Sequence, residues 1–209
     1  MEGMGIKKFT DAWEQRKFGE FGEIVRTSID PKLFPNDSFM EYSMPAYDNG
    51  RQPQLVMGNS MLSSRLKIVG DVLLVNKLNV RQKRIWHIEE APGNAVASGE
   101  FMPFASTKID LTFLEHLMLS DSTTSDLQSM SSGTSNSQKR IVPSDLLKYK
   151  TAIPIDRNEQ IRIGTFFSDL DHLITLHQRE PKCVRKYFFS LIRIKISSPA
   201  QHLGSLARG

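Results

Sequence analysis

A single cysteine, Cys183, rules out an intrachain disulfide and leaves a thiolate zinc site without a second ligand. No run of residues approaches the roughly 18 apolar positions of a membrane span, and the opening residues Met1 to Thr10 carry Lys7 and Lys8 with no apolar stretch behind them. Neither secretion nor membrane insertion is indicated, and the cytoplasm is the expected compartment. No glycine-x-glycine follows a strand-like run, which removes the usual loop for a methyltransferase cofactor, and the phosphate-loop spacing of glycine and lysine is missing. The chain is therefore expected to hold no cofactor. Clustered carboxylates for a nuclease metal are also lacking. The nearest fragment, Asp30-Pro31-Lys32, contains a proline that breaks the strand such groups need and reads as a turn. His87, His116, His172, His177 and His202 include no pair that shares a helical face, so neither a metal site nor a catalytic residue is expected.

What is present is the composition of a folded chain: 39% hydrophobic residues, 24% charged and 12 Phe to fill a core. The formal net charge of +4 permits a polyanionic partner without demanding one. From Trp13 to Ala105 short apolar runs predict a small sheet: Leu66-Lys67-Ile68-Val69, Val72-Leu73-Leu74-Val75, Ile85-Trp86-His87-Ile88 and Ala95-Val96-Ala97. Gly70-Asp71 resembles a tight turn between the first two runs, and Ala91-Pro92-Gly93-Asn94 a hairpin loop between the last two.

After Ala105 the period turns helical. Thr107-x-x-Asp110 has the form of a helix start before Leu111, Leu114, Leu117 and Met118; a second short helix is expected around Leu127 and Met130, and a third at Pro143 to Leu147. Ala152-Ile153-Pro154-Ile155 reads as an edge strand. Asp156 can cap a long helix while Glu159 reaches back to its first free amide. Along that helix Ile163, Phe166, Leu170, Leu173 and His177 recur at steps of three and four, with Phe167 and Ile174 widening the stripe. At about 36 Å it is longer than a small sheet needs, which predicts a helix partner for the stripe. The fold class is α+β: a small mixed sheet with short helices, then one long coiled-coil-type helix.

Two basic clusters stand out. Asn76 to Arg84 includes Lys77, Asn79, Arg81, Lys83 and Arg84 between two strands, where a hairpin tip would project cations at phosphates and amides or guanidinium groups at base edges. Ser131 to Arg140 includes Ser132, Thr134, Ser135, Gln138, Lys139 and Arg140, offering hydroxyl and amide groups and then two cations. Taken by itself, each run also fits an ordinary solvated loop.

Several phrases, in order, resemble the specificity subunits of type I restriction-modification systems. Trp13-Glu14-Gln15-Arg16-Lys17-Phe18-Gly19-Glu20 is similar to the phrase that opens a target-recognition domain there. Tyr42-Ser43-Met44-Pro45-Ala46-Tyr47-Asp48-Asn49-Gly50 followed by Asp71 to Asn79 resembles its interior, and Ser98-Gly99-Glu100-Phe101 resembles a further phrase but departs at Gly99. Ser132-Gly133-Thr134, Ile153-Pro154-Ile155, Asn158-Glu159-Gln160-Ile161, Phe166-Phe167, Leu170-Asp171 and Ile174 to Arg179 resemble the junction of that domain with a conserved helix.

The resemblance implies a non-catalytic DNA-binding chain. Family members usually carry two recognition domains and two antiparallel helices, each domain reading half of a split site, whereas this sequence has one of each. Separate modification subunits would hold S-adenosylmethionine and methylate adenine, and a restriction subunit would hydrolyse ATP and cut. The implied partners are double-stranded DNA, these subunits, and a second copy of the chain or another specificity subunit. The implied division is an extension over 1–12, a recognition domain over 13–155, a dimerisation helix over 156–180 and a divergent basic tail over 181–209, where Pro181 breaks the pattern and six Lys or Arg occur without Asp or Glu. The alternative is a truncated subunit that no longer reads DNA and only pairs with the other subunits.

Overall fold

In the computed structural model, residues 13–133 and 139–179 are described. The chain runs β1 (Trp13–Lys17), α1 (Phe18–Phe21), β2 (Glu23–Ile24), β3 (Ser28–Ile29), β4 (Ser38–Tyr42), α2 (Met44–Asp48), β5 (Gln54–Met57), β6 (Arg65–Lys67), β7 (Gly70–Asn76), β8 (Ile85–Ala91), β9 (Ala95–Ala97) and β10 (Phe101–Ala105). Then follow α3 (Leu111–Leu119), α4 (Asp121–Met130), α5 (Pro143–Lys148), β11 (Lys150–Pro154) and α6 (Arg157–Arg179). The α+β class and the long final helix are as the sequence predicts.

The one expected sheet is three among the described residues. β2-β10-β7-β8 form four strands, β3-β6-β9-β4-β5 form five, and β1 pairs with β11 alone. The five-stranded sheet is mixed, because β4 and β9 run parallel while its other pairs are antiparallel. The apolar run Val72–Val75 explains why β7 is central: alternate side chains of a strand face opposite ways, and here both ways are covered. Leu73 and Val75 join a core with Phe18, Phe21, Phe104 and the helices α3 to α5. Val72 and Leu74 join a second core with Tyr42, Ile68, Trp86 and Phe101.

Two expected hairpins are corrected. β6 pairs with β3 and β9 and never with β7, and β8 and β9 lie in different sheets. The run from Leu66 is not one strand: β6 ends at Lys67, and Ile68, 1% exposed, and Val69, 65% exposed, link it to β7 at Gly70. There the chain changes sheets, turning at Gly70 with φ +66°, a value open to glycine at no steric cost. Ala91 to Asn94 makes the second crossing, closed by Ala95 N–H donating to the Pro92 carbonyl at 2.9 Å.

The helices start close to where the sequence places them. Asp110, not Thr107, caps α3, its Oδ1 accepting from Phe113 N–H at 2.8 Å. Ser120 caps α4, and Pro143 occupies the first turn of α5, where a missing N–H does no harm. β11 carries its proline at the strand end in a two-stranded pair, consistent with an edge.

The contacts divide the chain into two units, 1–167 and 168–209, within α6. In the first unit α6 crosses the start of α3 at Gly164, where an added Cβ would lie 2.7 Å from the Phe113 nitrogen and 3.2 Å from Asp110 Oδ1. Gly164→Ala is expected to destabilise the chain by about 1–3 kcal/mol through this overpacking, although alanine is the better helix former by about 1 kcal/mol. Urea denaturation checks the sign; a gain in stability would show that α6 moves aside freely.

Candidate nucleic-acid interface

β7 and β8 are antiparallel neighbours, so the first basic cluster is the connection of a hairpin. It begins on Asn76, which is buried. Its Oδ1 accepts from Leu78 N–H at 3.0 Å and its Nδ2 donates to the Leu78 carbonyl at 2.6 Å, so the side chain bends the backbone as asparagine commonly does at turns. A single helical turn, Val80–Gln82, follows between two residues in the left-handed region, Asn79 at φ +52° and Lys83 at φ +48°. Asparagine tolerates that region, whereas lysine adopts it only under restraint.

The restraint is visible. The Tyr47 hydroxyl donates to the Lys83 carbonyl at 3.0 Å, the Lys83 ammonium pairs with Asp121, and Arg84 holds both Asp48 oxygens at 2.8 and 2.7 Å. The hydrogen bond from Arg84 holds the Asp48 carboxyl below the usual carboxylate range, and the one from Lys83 does the same for Asp121, so both clamps are charged at neutral pH.

The second cluster lies against the first. Asn79 N–H donates to the Lys139 carbonyl at 2.9 Å, Ile141 N–H donates to the Lys77 carbonyl at 3.0 Å, and Leu78 and Arg140 face each other in an isolated antiparallel bridge. Ser132 bridges Arg140 in the same manner, closing the base of the second loop. Segments joined at positions about 60 residues apart, which the sequence predicts separately, therefore form one surface.

The structure redistributes the roles of the individual side chains. Lys77 is half-buried, donates to the Gly99 carbonyl at 2.7 Å, and burial pulls its ammonium below the usual lysine value. Arg140 lies 3.5 Å from Glu100. Arg84 is 15% exposed. The expectation that the whole cluster projects into solvent is thus corrected: Lys77, Lys83 and Arg84 fasten the loop to its surroundings. Among the described residues Arg81 is exposed and makes no side-chain hydrogen bond or ion pair, and the half-buried Lys139 has no side-chain partner. Thr134, Ser135 and Gln138 lie outside the described residues. The sequence reading missed Tyr47, Asp48, Asp121 and Glu100, which do the fastening; Tyr47 and Asp48 had a signal in the phrase from Tyr42 to Gly50 and Glu100 in the phrase from Ser98 to Phe101, whereas Asp121 had none.

Asp30 caps the turn Pro31–Leu33 through its side chain, consistent with the reading of that fragment as a turn. Among the described residues no group of three His, Cys, Asp or Glu gathers to hold a metal ion, and no helix is long and apolar enough to cross a membrane.

On α6, Ile163 packs against the first core, and Phe167 lies 5.6 Å from the His116 ring and 5.5 Å from Phe166. Phe166 and, in the second unit, Leu170, Leu173, Ile174 and His177 are exposed. Ile163 is thus partly covered by the first core, unlike the other residues of the stripe.

No family model matches the chain and no curated protein matches it. Solved structures do. The fold is that of type I restriction-modification specificity subunits. A chain from a study of complex assembly and conformational transition of the type I R-M system superposes with a TM-score of 0.68 at 19% identity, over 94% of this chain and 51% of that one. The HsdS subunit from Thermoanaerobacter tengcongensis gives 0.66 at 20%, over 97% and 53%. The S subunit of M. genitalium gives 0.51 at 13%, over 82% and 42%. The chain spans about half the length of these structures.

The specificity-subunit fold gives the phrases at the two ends of the domain a physical meaning. Glu159, expected to reach back to its own helix, instead accepts from the Trp13 indole N–H at 3.2 Å, and Trp13 meets Phe113 edge-on at 6.1 Å. Gln160 is buried, donating to the Pro154 carbonyl at 2.8 Å and accepting from Asp110 N–H at 3.0 Å. Asp156 does begin the helix, accepting from Asn158 N–H at 2.9 Å. These residues seat α6 on β1, β11 and the start of α3.

Proposed function

We propose that this chain is a sequence-specific DNA-binding specificity subunit of a type I restriction-modification system, without catalysis of its own. In this reading it directs modification and restriction subunits to one half of a split site, in the cytoplasm. The observation that carries the reading is the joining of the two basic, amide-rich clusters through Asn79, Leu78, Ile141 and Arg140. Cations placed there neutralise phosphates, and polar side chains beside them reach base edges in the major groove. Residues 13–155 form the recognition domain, 156–180 the pairing helix and 181–209 a basic tail. The exposed Phe166, Phe167, Leu170, Leu173, Ile174 and His177 pair with a second helix, from another copy or another specificity subunit, and a symmetric dimer reads a split palindrome.

Alanine at Arg81 and Lys139 together tests the interface. The full chain is expected to bind duplex DNA with an affinity that falls steeply between 50 and 200 mM salt. The double variant is expected to bind roughly tenfold or more weaker with a shallower salt slope, measured by fluorescence anisotropy. Unchanged affinity and slope would remove this surface from the proposal. The exposed apolar residues of α6 favour the second reading, an interaction-only subunit, if the chain binds no DNA yet co-purifies with a modification subunit.

A further inference from the structure

Of the four cations between residues 77 and 84, three have partners. Lys77 is bonded to the Gly99 carbonyl, Lys83 to Asp121, and Arg84 to both oxygens of Asp48. With Asp48 on Nε and Nη2, Met44 Sδ 3.6 Å from Nη1 and a side chain only 15% exposed, Arg84 has no open fork to offer a base. Among the described residues nothing bonds the Arg81 guanidinium, which is exposed and stands in the middle of the helical turn Val80–Gln82.

The support beneath Arg81 is fixed. Gln82 N–H donates to the Asn79 carbonyl and Lys83 N–H to the Val80 carbonyl, both at 3.0 Å. Val80 packs against the first core, so the turn is tied to the domain interior one residue away. Asn79 is bonded to Lys139 across the second loop, and the Lys83 carbonyl is held by Tyr47. A side chain that only neutralises phosphate needs charge and little else, whereas base readout needs a fork on a backbone that does not move.

We infer that Arg81 is the specificity-determining side chain of this loop and that the DNA half-site read by this chain contains a guanine, to which the Arg81 guanidinium bonds at O6 and N7 in the major groove. The inference rests on the DNA-binding reading above and deepens it. Lys77, Lys83 and Arg84 are positioning residues: they hold the turn and leave the reading to Arg81. The adjacent Lys139 serves a phosphate.

The test is selection from a random duplex DNA pool with the full chain, beside its Arg81→Gln variant. The wild-type chain is expected to enrich a sequence with one invariant guanine. The variant is expected to bind that sequence on the order of tenfold to a hundredfold weaker. Its preference at that single position should move towards adenine, which glutamine pairs with at N6 and N7, while the other positions stay as they were. Weakening with the guanine preference intact would assign Arg81 to phosphate and overturn the inference alone. So would a wild-type site without an invariant guanine. A wild-type chain that binds no DNA would overturn the function reading itself, and anisotropy on the unselected pool separates that case from the others.

Discussion

Phe104→Ala is expected to lower folding stability by about 3–5 kcal/mol, the usual range for removing a fully buried aromatic ring. The ring is wholly enclosed, centred 5.4 Å from Phe18 and 6.0 Å from Phe21, on an inner strand between Ile24 and Leu73. It also occupies the space that Gly22 leaves open, since a Cβ there would fall 2.1 Å from the ring. Three elements, α1, β2 and β7, surround this position, so its loss leaves a void that no single neighbour can fill. Urea denaturation should show a lower midpoint with an unchanged slope. A loss below about 1 kcal/mol would mean that α1 collapses onto β10 and repacks the core.

Gln160→Leu is expected to be of similar size, roughly 2–6 kcal/mol, for a different reason. Leucine is close in volume but leaves the Asp110 N–H and the Pro154 carbonyl without partners in a buried place, and each such group costs about 1–3 kcal/mol. Because these bonds join α6 to β11 and α3, the effect should also be local. Hydrogen exchange should show the Asp110 amide losing protection ahead of the amides of β7. Protection equal to the wild-type chain would mean that water replaces the glutamine.

The parts of the fold that follow from a local pattern were legible in the sequence. The long stripe from Ile163, the capped start at Asp156, the apolar run of β7 and the edge position of Pro154 all rest on neighbours within a few residues. Pairing between distant segments was not legible. Nothing in Leu66 to Val75 says that β6 and β7 belong to different sheets, because that depends on which face β9 and β10 cover. The candidate site divides in the same way. Lys77, Lys83, Arg84 and Arg140 could be listed as cations from sequence, but whether a cation is open to a ligand depends on carboxylates and carbonyls far along the chain. Asp48, Asp121, Glu100 and Gly99 decide it here, and each is brought close only by the fold.

The register of β1 with β11 sets Trp13 opposite Pro154, about 140 residues later. During synthesis at about 5–20 residues per second, β1 must wait roughly 7–28 s for β11, its strand partner among the described residues, to be made. For that interval its backbone N–H and C=O groups lack the pairing that β11 gives them and are open to water or to another chain. Closing so long a loop is also among the slower events in reaching the native state. The last strand before the helix is thus the piece that completes the domain, and until it arrives the nascent chain depends on staying apart from its neighbours on the same message.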